Sequence, residues 1–196
     1  MRRKIKLLIG TVISTVFLII TACTQNTNSS TNPTSETDIK NSETSFTATV
    51  LTEAPELQLS DPLSSTMNEF ILKSGSYNWS YMENEEVQSV IACGLHPLDS
   101  SVDKFEKLSL PRYNQLDSIS YRVSCPVPYD YLTVKEWDYS HIGDTDVKEE
   151  ANVTYKEMEL LELKPNKIYQ ITAIWEEAKK NERNFWGNAD YILVTN

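Results

Sequence analysis

The stretch "KIYQITAIW", residues 167–175, alternates between two faces: Tyr169, Ile171, Ala173 and Trp175 fall on one side, Ile168, Gln170, Thr172 and Ile174 on the other. Successive Cβ atoms leave opposite faces of a pleated strand, so a period of two in β-branched and aromatic residues marks a strand with a buried side. It places the Trp175 indole in a core. The last segment, "NADYILVTN", residues 188–196, reads the same way and is the expected partner through Tyr191 to Val194, while "KPN", 164–166, supplies a turn before the first strand.

Working outward, further strands are expected at Glu69 to Lys73, Tyr77 to Met82, Val87 to Cys93, Ile119 to Ser124, Tyr131 to Trp137 and Glu157 to Leu163. "YNWSY", "MENEE" and "VQSVIA" in succession read as a hairpin with a polar, acidic connection. "EEAKKNER", residues 176–183, alone has helical composition; it is short and highly charged, and is expected as a loop or one solvated turn. Short strands separated by turn signals give the expected fold class: all-β, a single immunoglobulin-like antiparallel β-sandwich over residues 67–196. About 130 residues suffice for one such domain with its own core.

The N-terminus has a different grammar. Arg2, Arg3, Lys4 and Lys6 precede an apolar run from Leu7 to Ile20, and no acid appears before Glu36. These are the n- and h-regions of a secretory signal, and the run is shorter than the roughly 20 residues that span a bilayer. Ile20-Thr21-Ala22-Cys23 resembles the lipobox of bacterial lipoproteins. The resemblance implies that residues 1–22 are a signal peptide removed at Cys23, and that Cys23 carries the lipid that holds the chain at the extracytoplasmic face of the cell membrane. Residues 23–50, rich in Ser, Thr and Asn with little to bury, are expected to be a disordered tether. Residues 51–66 are transitional and are expected to hold little structure.

Loss of the four cations in residues 1–22 leaves 14 Lys+Arg against 28 Asp+Glu, a formal charge near −14. Such a surface repels phosphate backbones, so nucleic acid is excluded as a partner and the membrane link falls to the lipid. With Cys23 lipidated, Cys93 and Cys125 remain as an even pair in a compartment where disulfides persist; they either bridge or stay as buried thiols. No CxxC is present, and His96 has only Cys93, Cys125 and distant His141 as company, so neither a metal nor another cofactor is expected.

"SGSYNWSY", "SVIACGLHPLD", "LTVKEWDYSHIGDTD" and "LKPNKIYQITAIW" followed by "WGNADYILV" resemble uncharacterised extracytoplasmic β-sandwich lipoprotein domains of Firmicutes, over about residues 70 to 196. The resemblance implies the sandwich and carries no activity with it. In this chain the glycine-rich link before the last strand is reduced to Gly187, behind the charged insert.

Tyr77, Trp79 and Tyr81 share one face of a strand, which favours a place in the core for Trp79. Tyr129, Tyr131, Trp137 and Tyr139 share a parity near loops, and Tyr129, Tyr131 and Tyr139 form the candidate binding surface. Asp138, Asp144 and Asp146 around Gly143 only faintly resemble a calcium loop, since the EF-hand spacing is not met. His96 and Asp99 could orient a general base, yet no G-x-S-x-G elbow supplies a nucleophile. The expectation is therefore a non-catalytic binding module for an extracytoplasmic protein or cell-wall ligand. The alternative is an extracytoplasmic hydrolase using His96 and scattered acids.

Overall fold

A computed structural model describes residues 50–64, 69–111 and 117–196. The expected signal peptide, Cys23 and the expected tether up to residue 49 lie outside the described residues, as do residues 65 and 66 of the segment expected to be transitional. Strands β1 (Leu57–Ser60), β2 (Glu69–Leu72), β3 (Ser76–Glu83), β4 (Glu86–Ala92), β5 (Glu106–Leu108), β6 (Ile119–Ser124), β7 (Tyr131–Asp138), β8 (Ala151–Lys156), β9 (Leu160–Leu163), β10 (Lys167–Trp175) and β11 (Phe185–Thr195) make up the domain. One sheet has the order β2-β1-β6-β9. The other runs β4-β3-β11-β10-β7-β8, and β5 pairs in parallel with the end of β11.

The chain crosses between sheets from β6 to β7, back from β8 to β9, and again from β9 to β10. In order and pairing β6, β7, β8, β9, β10 and β11 occupy the places of immunoglobulin strands B, C, C′, E, F and G. A second mark of that class sits at the β9–β10 corner. The Tyr169 hydroxyl accepts from the Lys164 backbone N–H at 2.8 Å, which ties the start of β10 to the turn before it. Two residues on, where antibody domains carry a cysteine, this chain has Ile171, buried in the core.

The β10 alternation is realised as read. Tyr169, Ile171, Ala173 and Trp175 are buried between the sheets, and β10 pairs with β11 in the register Ile171↔Tyr191 and Trp175↔Gly187. Gly187 also lies opposite Trp79 of β3, so the row across the sheet reads Trp175, Gly187, Trp79. A residue with no side chain between two indoles leaves them room to meet. Their centroids lie 5.1 Å apart in an edge-to-face arrangement, and Phe185 stacks on Trp79 at 5.1 Å.

Three sequence expectations need correction. Residues 51–66 are not a bare transition: Leu57 and Leu59 of β1 are fully buried, and β1 lies between β2 and β6. Ahead of it the Trp79 indole N–H donates to the Leu51 carbonyl at 2.7 Å, and the Tyr191 hydroxyl donates to the Pro55 carbonyl. The strand expected from Glu157 begins only at Leu160, because Met158 takes a positive φ of 72° in a turn. The hairpin is likewise tighter than expected. Its connection is Asn84–Glu85, both at positive φ as a type I′ turn requires, with strand on either side.

The β1 attachment sets where the domain starts. The 51–196 fragment is expected to unfold with the 23–196 chain, whereas 57–196 loses the acceptors of two largely buried donors. Each unmet donor costs about 1–3 kcal/mol, so the shorter fragment should be less stable by about 2–6 kcal/mol in denaturant titration.

Candidate functional site

The six-strand run has an outer face that the other sheet does not cover. Its lower half is closed by connections: Trp137, Ile168, Ile192 and Val194 form a second apolar cluster under Leu98 and Val102 from the β4–β5 connection, with Ile142 and Val147 packed alongside. The Trp137 indole N–H donates to the Val147 carbonyl at 3.1 Å, and the Gly143 N–H to the Leu98 carbonyl at 2.8 Å, locking the two connections together. Trp137 shares the outward parity of Tyr131 and is nonetheless buried, because loops lie over that end.

The upper half is open. Register places Tyr131, Ile174, Asn188, Asn78 and Ile91 in one row across β7, β10, β11, β3 and β4. The next row holds Thr154, Thr133, Thr172, Asp190 and Ser76, and Trp186 with Ser80 and Ser89 lies on the other side of the first. Asn78 and Asn188 are exposed, and Tyr131, Ile174 and Trp186 are half-buried. Strand spacing and rise put Tyr131 and Trp186 roughly 12 Å apart. This area is flat, built of hydroxyls, side-chain amides, two isoleucines and two aromatic rings.

Its few charges are held. Asp190 accepts from the Thr172 hydroxyl at 2.6 Å and the Ser76 hydroxyl at 2.9 Å. Lys180 sits with its ammonium 5.4 Å from the Trp186 ring centre, which fixes one side of that indole and leaves a cation–π pair at the rim. At the Tyr131 end a shallow depression of about 410 Å³ is lined by Asp130, Tyr131, Thr154, Lys156 and Glu157. Asp130 is the anchor of that rim. Burial alone would raise its pKa, but hydrogen bonds from Lys179, the Glu176 N–H and Arg183 outweigh it and hold the carboxyl below its ordinary range. The same bonds fasten the short helical turn Lys180–Arg183 over the β6–β7 connection, so the "EEAKKNER" insert is pinned down by its charges.

The candidate surface of Tyr129, Tyr131 and Tyr139 is not one surface. Tyr129 precedes β7 in the connection between the sheets, outside the alternation, and is only 4 % exposed. Burial pushes its hydroxyl up to about 12. Tyr139 is exposed but follows the far end of β7, about 26 Å of strand from Tyr131. Only Tyr131 belongs to the open face. Trp186, Asn78 and Asn188, which join it there, were not singled out from sequence. The available signal was the parity of Trp186 with Asn188 and Asp190, which turns it away from buried Phe185.

Cys93 and Cys125 are both free thiols, so the bridge is absent: Cys93 is exposed after the edge strand β4, while Cys125 packs half-buried on the core after β6. Burial raises the Cys125 thiol to about 11, which keeps it protonated. His96 accepts the Leu98 N–H at Nδ1 (3.1 Å), and the Asp99 carboxylate accepts the Ser101 N–H at 2.7 Å, so each builds its own turn. Asp138 caps Ser140; bonds from the Ser140 hydroxyl and N–H, together with Lys167, lower it to about 2. Among the described residues no group of three His, Cys, Asp or Glu is placed to hold a metal ion, and no helix is long and apolar enough to cross a membrane. Comparison of the chain with protein-family models, with curated proteins and with solved structures finds no match.

Proposed function

We propose that this chain is a lipoprotein anchored through Cys23 at the extracytoplasmic face of the cell membrane, and that its sandwich is a non-catalytic binding module. The observation that carries the binding reading is the open upper half of the outer face. A strongly acidic chain presents there a flat area of Tyr131, Trp186, Asn78, Asn188 and threonine hydroxyls, with its carboxylate Asp190 satisfied internally. Aromatic rings offer stacking area at low entropic cost, and side-chain amides and hydroxyls both donate and accept. A neutral ligand rich in hydroxyl and amide groups fits that chemistry, and wall glycan is such a ligand. A polyanion would meet the surrounding acids.

Two experiments test the two halves. Cys23→Ala is expected to move the protein out of the membrane fraction or leave it as precursor, and to abolish labelling by a fatty-acid analogue; persistent labelling would refute the anchor. The double variant Tyr131→Ala/Trp186→Ala should lose co-sedimentation with purified wall material by about tenfold or more, since two stacking contacts are each worth about 1 kcal/mol. Its melting temperature should stay close to that of the parent. Undiminished co-sedimentation would remove the face from the account.

A further inference from the structure

The strand β4 is unlike the other edges of the sandwich. β2 and β9 are four residues each, and β8 ends in Lys156 and follows Lys148, Glu149 and Glu150, so those edges are blunted by shortness or charge. β4 runs seven residues as "EVQSVIA", pairs among the described residues only with β3, and carries no charge, proline or bulge from Val87 to Ala92. Val87 is 55 % exposed and Ile91 72 %.

Its hydrogen-bonding register follows from the turn. In a two-residue hairpin the flanking pair Glu83↔Glu86 is hydrogen-bonded, and the pairs alternate from there. Gln88 and Val90 therefore bond back to β3, while the N–H and C=O of Val87, Ser89 and Ile91 point away from the sheet. The Ser80 and Ser89 hydroxyls, 2.9 Å apart, fit a non-hydrogen-bonded pair, where side chains come closest.

We propose that β4 is a self-association edge that pairs antiparallel with β4 of a second copy about a two-fold axis at Ser89. The sequence is complementary to itself about that residue: Ser89 meets Ser89, Val87 meets Ile91 twice, and Gln88 meets Val90 twice. All three outward-facing residues then exchange N–H and C=O bonds with the partner copy. No like charges face each other across the pair, so two chains with a large excess of acid approach along a neutral seam. Residues opposite each other in an antiparallel pair point to the same face, so the two outer faces join into one surface carrying two copies of Tyr131 and Trp186.

The test uses cells producing the full chain in a Cys93→Ala background, oxidised with copper phenanthroline. Ser89→Cys should give a disulfide-linked dimer, because the Cα atoms of a hydrogen-bonded antiparallel pair lie about 5.5 Å apart, within disulfide range. Asn152→Cys on the opposite edge β8 should stay at the background of the parent. Adding Ile91→Pro, which removes an outward donor and no bond to β3, should cut the Ser89→Cys dimer by about tenfold or more, and Val87→Lys should do the same with the backbone intact. A Ser89→Cys chain that stays monomeric would overturn the proposal. So would equal cross-linking at Asn152→Cys, indifference to both β4 variants, or an adduct of a mass other than twice the chain.

Discussion

Trp175→Ala is expected to lower the stability of the domain by about 3–5 kcal/mol, a large share of the roughly 5–15 kcal/mol that holds a domain together. The indole is 1 % exposed, meets Trp79 edge to face, and donates from its N–H to the Val127 carbonyl at 3.3 Å. Its removal opens a cavity between two sheets fixed by their ladders, so little of the volume can be reclaimed by collapse. The unfolding midpoint should fall by roughly 10–15 °C. An unchanged midpoint would mean that the aromatic side of β10 faces solvent, which contradicts the packing of Tyr169, Ile171 and Trp175 as a set.

Gly187→Ala should be as damaging, although it adds a single methyl group. A Cβ at this position would stand 2.2 Å from the Asn78 carbonyl oxygen and 3.0 Å from the Trp79 Cα, both backbone atoms of β3, and φ is +148°. Neither the contact nor the dihedral can be relieved by a side-chain rotation. Overpacking and backbone strain each cost about 1–3 kcal/mol, and here they act together. Gly143→Ala is the control: φ is +88°, yet nothing lies within 4 Å of the added atom, so only the strain remains. Denaturant titration of the pair should show a loss about twice as large for Gly187→Ala. Equal losses would mean that β3 can move away from β11 without harm to the Trp79–Trp175 contact.

The residues that announced the fold are those whose burial follows from their own strand. β10 and β11 alternate over nine and eleven residues, and the period alone places Trp175, Tyr191 and Leu193 inside. β1, β5 and β8 were missed for a physical reason. "LQLS" and "EKL" are too short to establish a period, and their burial is conferred by β2, β6 and β11, distant in sequence. β8 is an edge strand whose residues are mostly exposed, so it lacks a buried side to read. The site was legible in one residue out of three. Tyr131 lies in the regular part of β7; Tyr129 sits where the chain changes sheets, and Tyr139 begins the turn after the strand. Parity carries information only within a strand, and the partners of Tyr131 come from β3, β10 and β11, which only the register brings beside it.

We propose that the open half of the outer face binds a neutral, amide- and hydroxyl-bearing ligand without transforming it. NMR titration of the 51–196 domain with soluble wall-glycan fragments tests this most directly. The expected result is that the Trp186 indole N–H, the Asn78 and Asn188 side-chain amides and the backbone signals of Tyr131 and Ile174 shift together along one saturating curve, while the fragments remain intact. Shifts centred on His96 and Asp99 with progressive cleavage of the fragments, or no shifts on the outer face at saturating concentration, would contradict it.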